Sequence, residues 1–325
     1  MKCNLPLLVL ALLAIEAWVS APAASEITFG ITSSTALSVA HFIAQEKKYY
    51  QVETLAVDTI AAGSAARVLQ QVAGGSLNMA QVATDQTLRA ILRGAPLRIV
   101  AGAAANAPFR VVAAKSVKSW SDLKGKLVSV GGLTDVTLYF LRVMARKNGL
   151  ADQDYDLLYA GGSPDRFAQL ASGAVAAAVL TNPLDFTALE QGFVDLGSVP
   201  QYLPHWTQNN ILVDTRWAAQ NRAAVVAFLR AHLRATRFFD AAANRDEVNG
   251  ILVKYTRTTP AIAAKSYDLY VKEHVIASEA ALSPDGIKAN LDALVAMGEL
   301  ASAPPAAGFI DASFLAEASR QAPAP

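Results

Sequence analysis

Cysteine is almost missing from this chain of 325 residues: Cys3 is the only one. Everything after residue 3 therefore lacks disulfides, thiolate metal sites and a cysteine nucleophile. Histidine is scarce too. His41, His205, His232 and His274 are scattered, with no His-x-x-x-His or Cys–His spacing, so neither a metal site nor a cofactor is expected. Only 17% of residues are charged and the formal net charge is +1. No dense Lys/Arg run with interleaved aromatics occurs, which argues against a nucleic-acid partner. Beyond the first 25 residues no uncharged apolar run reaches the roughly 20 residues that span a bilayer. A nucleophile-elbow G-x-S-x-G and a Gly-rich phosphate loop are also lacking, so no enzyme chemistry is evident.

What is present is apolar and long enough for about two domains: 53% of residues are hydrophobic. Residues 1–24 read as a secretory signal peptide. Lys2 supplies the positive start, Leu5 to Ile15 an apolar run of 11 residues ended by Glu16, and Ala21-Pro22-Ala23-Ala24 the small-residue cleavage region. Cys3 precedes the apolar run instead of following it, so no lipoprotein anchor is expected. The mature chain is expected to be soluble and exported to the periplasm.

The informative feature is an internal echo at a spacing of 98–100 residues. Gly63-Ser64-Ala65-Ala66-Arg67-Val68 is answered by Gly162-Ser163-Pro164-Asp165-Arg166-Phe167. Gln71-Val72-Ala73-Gly74-Gly75-Ser76-Leu77 is answered by Gln169-Leu170-Ala171-Ser172-Gly173-Ala174-Val175. Ile27 to Ile31 matches Leu127 to Gly131 as a strand ending in small residues. Helical stretches follow, Ala40 to Lys48 and Leu138 to Asn148. Alternating strands and helices predict βαβ units and mostly parallel sheets, in two lobes built alike.

That architecture places a ligand. Open parallel sheets bind beyond the carboxyl ends of their strands, where helix N-termini also point unpaired N–H groups. Ser64 and Ser163 stand where N-caps are wanted, with Pro164 in a first helical turn. Gly63 and Gly161-Gly162 permit close backbone approach. Taken singly, each serine is equally explained as a cap; the set of loops together points to a ligand.

At Ala44 to Tyr50, Val72 to Ala80, Trp120-Ser121-Asp122-Leu123-Lys124-Gly125-Lys126, Gly173 to Pro183 and Asp311-Ala312-Ser313-Phe314-Leu315, the chain resembles a known family. This is the periplasmic solute-binding proteins of ABC transporters of the nitrate, sulfonate, taurine and pyrimidine-precursor (NMT1/THI5-like) type. Lys48, Asn78 and Ala176 depart from its pattern. The resemblance covers about residues 26–320. It implies the type II periplasmic-binding-protein fold: two Rossmann-like α/β lobes joined by two crossover strands. Lobe 1 would hold 26–106 and 210–320, lobe 2 would hold 107–209, and 321–325 would be a frayed tail. It also implies a monomer that is not an enzyme, capturing a small sulfonate, carboxylate or heteroaromatic acid and handing it to an inner-membrane permease. The alternatives are a ligand sensor and, less favoured, a pyrimidine-synthesis enzyme, whose cysteine-rich motif this chain lacks. Carried over by position, the ligand-facing residues are Thr32, Ser33, Ser34, Gly63, Ser64, Thr84, Asp85, Gly132, Thr134, Asp135, Gly162, Ser163, Asn182 and Pro183. Thr84 and Asn182, offset by 98, would pair across the cleft. Asp85 would repel an anion unless a donor or an arginine faces it.

Trp206 near the second crossover either stacks on a planar ligand or packs the hinge. Arg110 at the first crossover either clamps an anion or faces solvent. His41 and His232 lie on amphipathic stretches and read as packing or surface residues. Arg230, Arg234 and Arg237 read as the solvated stripe of a helix.

Overall fold

The computed structural model describes residues 25–322 except His205. The signal-peptide reading at 1–24 and the end of the tail at 323–325 lie outside the described residues. Among those described, no helix is long and apolar enough to cross a membrane.

The first part of the chain forms β1 (Ser25–Ile31), α1 (Val39–Glu46), α2 (Tyr49–Val52), β2 (Leu55–Ala61), α3 (Ala65–Ala73), β3 (Met79–Ala83), α4 (Thr84–Leu92) and β4 (Leu97–Ala104). The chain then crosses and builds β5 (Phe109–Ala113), β6 (Leu127–Val130), α5 (Val136–Lys147), β7 (Asp156–Tyr159), α6 (Ser163–Ala171), β8 (Ala177–Thr181), α7 (Leu184–Glu190) and β9 (Val194–Ser198). It returns through β10 (Asn209–Asp214) and finishes in α8 (Thr215–Gln220), α9 (Arg222–Asp240), α10 (Arg245–Thr256), α11 (Pro260–Lys272), α12 (Pro284–Ala296) and α13 (Ser313–Gln321). Gln321, expected in a frayed tail, is the last residue of α13 and accepts a hydrogen bond from Arg230.

Two sheets of five strands result, ordered β2-β1-β3-β10-β4 and β7-β6-β8-β5-β9. The second order is the first one transposed: β6 stands for β1, β7 for β2, β8 for β3, β5 for β10 and β9 for β4. The duplication read from the sequence is thus a duplication of topology, and the chain has two α/β lobes. The sheets are mixed. Each carries one strand reversed against its neighbours, β10 against β3 and β4, β5 against β8 and β9. Both reversed strands are the ones that follow a crossover. Sheets covered by helices on both faces need strands apolar throughout, and β8, Ala-Ala-Val-Leu-Thr, is buried at every residue.

The helices of the return segment pack on the first sheet, where Phe228 of α9 stacks on Tyr50 and lies against Phe29. His41 and His232 are buried here, not at the surface. His41 bonds the Tyr50 hydroxyl and Thr59 Oγ1, each at 2.8 Å, while neither ring nitrogen of His232 finds a partner among the described residues. The arginines of α9 also depart from the solvated-stripe reading. Arg230 and Arg234 both reach Glu53, at 2.6 and 3.1 Å, and Arg237 pairs with Glu279 at 2.7 Å. Their alkyl stems cover apolar surface while the charges find partners.

The buried histidines carry a pH dependence. Burial pushes His41 down to about 3 and His232 down to about 4 from an ordinary 6.5. As pH falls below 6.5 the unfolded chain takes up protons that the folded one refuses, so these groups withdraw stability between pH 6.5 and their folded values. Asp85 and Asp185, raised to about 6 by burial, act oppositely between about pH 4 and 6. The two effects are separated by comparing the protein with His232→Leu, which removes an unpartnered polar ring and leaves the aspartates alone. Relative to wild type, this variant is expected to gain up to ~1.4 kcal/mol per pH unit between pH 6.5 and 4. Urea melts across that range check it; a constant difference between the two proteins overturns the assignment.

Candidate functional site

The carboxyl ends of β1, β2, β3 and of β6, β7, β8 face one another, and a cavity of about 70 Å³ lies between them. One lobe contributes Thr32, Ser33 and Thr35 after β1, Ser38, Ser64 and Ala65 at the start of α3, Gln81 and Ala83 of β3, and Gln208 and Asn209 from the second crossing. The other contributes Phe109, Asp135 to Thr137, Gly161 to Ser163, Arg166 and Thr181.

The lobes touch around this cavity. The Ala36 N–H donates to the Asn182 carbonyl at 3.2 Å, and Gln86 Nε2 donates to the Thr134 carbonyl. Gly161, at φ +71°, lies so close to the Gly63 carbonyl that a Cβ would stand 3.1 Å from it. Glycine alone meets both demands there.

Arg166 dominates the cavity electrostatically. It is 4% exposed and its donors go to neutral acceptors: Nε to the Val179 carbonyl at 2.6 Å, Nη1 to the Gly161 carbonyl, Nη2 to Ser163 Oγ at 2.9 Å. No carboxylate forms an ion pair with it among the described residues; burial lowers its pKa, while the fields of Asp135 and Asp165 oppose this. A buried cation without a contacting anion is costly, and an anion in the cavity would relieve it. Ser163 Oγ accepts from Arg166 and from the Thr181 N–H at 3.2 Å. With both lone pairs used, its hydroxyl hydrogen is left to donate. Ser64 Oγ caps α3 by accepting from the Arg67 N–H at 3.3 Å.

Of the residues expected from the sequence, Thr32, Ser33, Ser64, Asp135, Gly162 and Ser163 line the cavity. The others do not. Ser34 turns to solvent, Gly63 presents its carbonyl to the Gly161 turn, and Gly132 and Thr134 flank Asp135 without reaching inside. Thr84 and Asn182 do not meet across the cleft. Thr84 Oγ1 donates to the Gln208 carbonyl at 3.3 Å and accepts from Asn210 at 2.7 Å; Asn182 Nδ2 donates to Asp185 at 2.9 Å. Each side chain is consumed inside its own lobe, beside the buried Pro183 in the second case, and only the Asn182 backbone carbonyl reaches the other lobe, at Ala36. Asp85 is neutralised by Arg89, which also holds Glu299 at 2.7 Å. Trp206 packs: it stacks on Tyr139 at 5.4 Å and meets the edge of Phe140 at 5.3 Å. Arg110 is neither a clamp nor free in solvent, being paired with Asp195 and, at 3.6 Å, with Asp185. Ser163 is not a cap either; Gly162 takes that position in α6.

Sequence reasoning passed over Arg166, Gln81, Thr137, Thr181, Gln208 and Asn209. For Arg166 a signal existed, because it is the last matched residue of the Gly-Ser-x-x-Arg echo. Its counterpart Arg67 is exposed, so the echo alone does not say which copy turns inward.

Two lobes of transposed topology that meet at a cleft between their strand ends define a protein of the periplasmic-binding-protein fold. Residues 36–247 match the family described as NMT1/THI5 like. The chain belongs to that family. Among solved structures it is similar to the periplasmic nitrate-binding protein NrtA from Synechocystis PCC 6803, with TM-score 0.78 and 15% identity over 93% of this chain and 90% of that one. It is also similar to the alkanesulfonate-binding protein SsuA from Xanthomonas axonopodis pv. citri bound to MOPS, with TM-score 0.72 and 18% identity over 90% and 99%. A third is a Candida albicans gene product with the generic periplasmic binding protein fold, with TM-score 0.69 and 12% identity over 92% and 96%. Among curated protein sequences none matches significantly.

Proposed function

We propose that this protein is the extracytoplasmic binding component of an ABC-type importer, capturing a small oxyanion-bearing molecule between its lobes and delivering it, as a monomer, to a membrane permease. The observation that carries the reading is Arg166, a buried guanidinium lining the cleft with only neutral acceptors in contact. Donors around it fit the same ligand: the Ser163 hydroxyl and the helix starts of α3 and α6, each favouring negative charge by roughly 0.3–1 kcal/mol. The names of the nitrate- and sulfonate-binding neighbours point the same way. A heteroaromatic acid has less support, since Trp206 is spent on packing and does not line the cavity.

A ligand that touches both lobes favours their contact and shifts the hinge toward the closed form. Binding is read as a rise in Tm. A panel of nitrate, short carboxylates and short sulfonates, set against neutral amides and alcohols of the same size, is expected to contain an anion that stabilises the protein. At 100-fold excess over Kd the gain is about 2.7 kcal/mol. If no anion raises Tm, or neutral compounds do so equally, the reading fails.

A further inference from the structure

The two lobes meet through turns that carry little or no side chain. A Cβ on Gly161 would stand 3.1 Å from the Gly63 carbonyl oxygen, and one on Gly162 would stand 3.5 Å from that oxygen and 3.5 Å from the Ser33 Cβ. Ser33 and Gly63 follow β1 and β2, while Gly161 and Gly162 follow β7. The turns at Gly63 and Gly162 each lead into a helix, α3 and α6, and each helix has an exposed charge at its third residue. Arg67 Nη1 lies 3.9 Å from the place of a Gly63 Cβ, and Asp165 Oδ2 lies 3.7 Å from the place of a Gly161 Cβ. A cation of one lobe and an anion of the other thus flank the same contact. Neither side chain forms a hydrogen bond or an ion pair among the described residues.

The two charges stand differently toward their own helices. Asp165 is the acid of the first turn of α6, where the helix dipole favours it. Arg67 occupies the matching place in α3, and the same dipole opposes a cation there. Its own helix therefore gives no reason for Arg67, whereas the carboxylate across the seam does.

We infer that Arg67 and Asp165 are an electrostatic latch. They attract when the lobes meet and lose that attraction when the lobes part, so the closed form is favoured before any ligand contributes. The latch lies at the rim and is separate from the buried Arg166. Exposed pairs are weak, and reversing one charge turns attraction into repulsion, so a single reversal should lower the closed population about three- to ten-fold.

A disulfide across the seam reads that population. Ser33→Cys with Gly162→Cys, on a Cys3→Ser background, sets two thiols at a Cβ separation of 3.5 Å, within the roughly 3.5–4.5 Å that a disulfide spans. Gly162 has φ −70°, which accepts a side chain. The equilibrium constant for closing this disulfide in a glutathione buffer is compared between the parent pair and the same pair carrying Arg67→Asp, Asp165→Arg or both. Each single reversal is expected to lower the constant about three- to ten-fold, and the swap to return it to within about two-fold of the parent. Sodium chloride at about 0.5 M, which screens exposed charges, should shrink the single effects. If neither reversal moves the constant, or if the swap loses the product of the two single effects, the latch is wrong. If Asp165→Arg acts alone and Arg67→Asp does not rescue it, Asp165 serves only the start of α6 and the latch is again wrong. If the parent pair forms no disulfide, the turns do not meet and the inference falls with them. No ligand enters the measurement, so every outcome leaves the anion reading of the cleft untouched.

Discussion

Arg166→Met is expected to lower affinity for the captured anion at least 100-fold while changing the stability of the ligand-free protein comparatively little. The first half follows from charge. The guanidinium is buried and its partners in the protein are neutral, so its favourable Coulomb interaction is reserved for the ligand. Removing one partner of a buried charged hydrogen bond costs about 2–5 kcal/mol, and 100-fold is about 2.7 kcal/mol. The second half is a balance. The Val179 and Gly161 carbonyls and Ser163 Oγ would each lose a donor, at about 1–3 kcal/mol apiece. Against this, the ligand-free protein no longer buries a cation without a contacting anion, a desolvation cost of several kcal/mol. Methionine keeps most of the volume. Calorimetry on the best ligand and a thermal melt without it provide both readouts. A methionine variant that binds within a few-fold of wild type would show that Arg166 is structural and that the anion site lies elsewhere.

A second large effect is expected at Gly102, which does not line the cavity. Gly102 lies in β4 opposite Asn210 of β10, and a Cβ there would stand 2.1 Å from the Ala281 carbonyl oxygen. Backbone cannot rotate out of the way as a side chain can. Gly102→Ala therefore has to push the 277–281 segment off the sheet. Overpacking costs about 1–3 kcal/mol and sometimes more, and a backbone clash belongs at the upper end. With about 2–4 °C per kcal/mol for a domain of 150–250 residues, Tm should fall by roughly 6–12 °C. Gly250→Ala is the matched control. Gly250 sits inside α10 with nothing near its absent Cβ, and alanine there should gain up to ~1 kcal/mol. Equal melting points for the two variants would refute the argument. Asn209, which lines the cleft, is the neighbour of Asn210, so ligand affinity should drop with Gly102→Ala as well.

The lobes were legible because an echo in sequence is an echo in topology: the Gly-Ser and Gln–Gly matches mark corresponding turns and helices. The reversed strands β5 and β10 were not, since an apolar run such as Val111-Val112-Ala113 reads the same in either direction. At the cleft, position in the repeat predicted Ser64 and Ser163 facing the same space, and both line it. The same logic misplaced Thr84 and Asn182. A residue that ends a strand points into the gap or back into its lobe according to which partners claim its side chain: Asn210, which donates to Thr84, is distant in sequence, and Asp185, which accepts from Asn182, is close. Trp206 failed for a related reason, because its partners Tyr139 and Phe140 belong to α5, far from it in sequence. Arg166 required knowing that no carboxylate among the described residues forms an ion pair with it, which is a fact about three dimensions only.

The reversed strands also impose a schedule. The second sheet is drawn from one unbroken stretch, Phe109 to Ser198, and has all its strands once that stretch exists. The first sheet has its β10 between β3 and β4, and that strand arrives only after the whole of the other sheet has been made. A chain leaving a ribosome amino terminus first thus carries β1 to β4 with a gap in their sheet until Asn209–Asp214 emerges. The lobe that holds β1 is the one whose sheet receives its last strand latest.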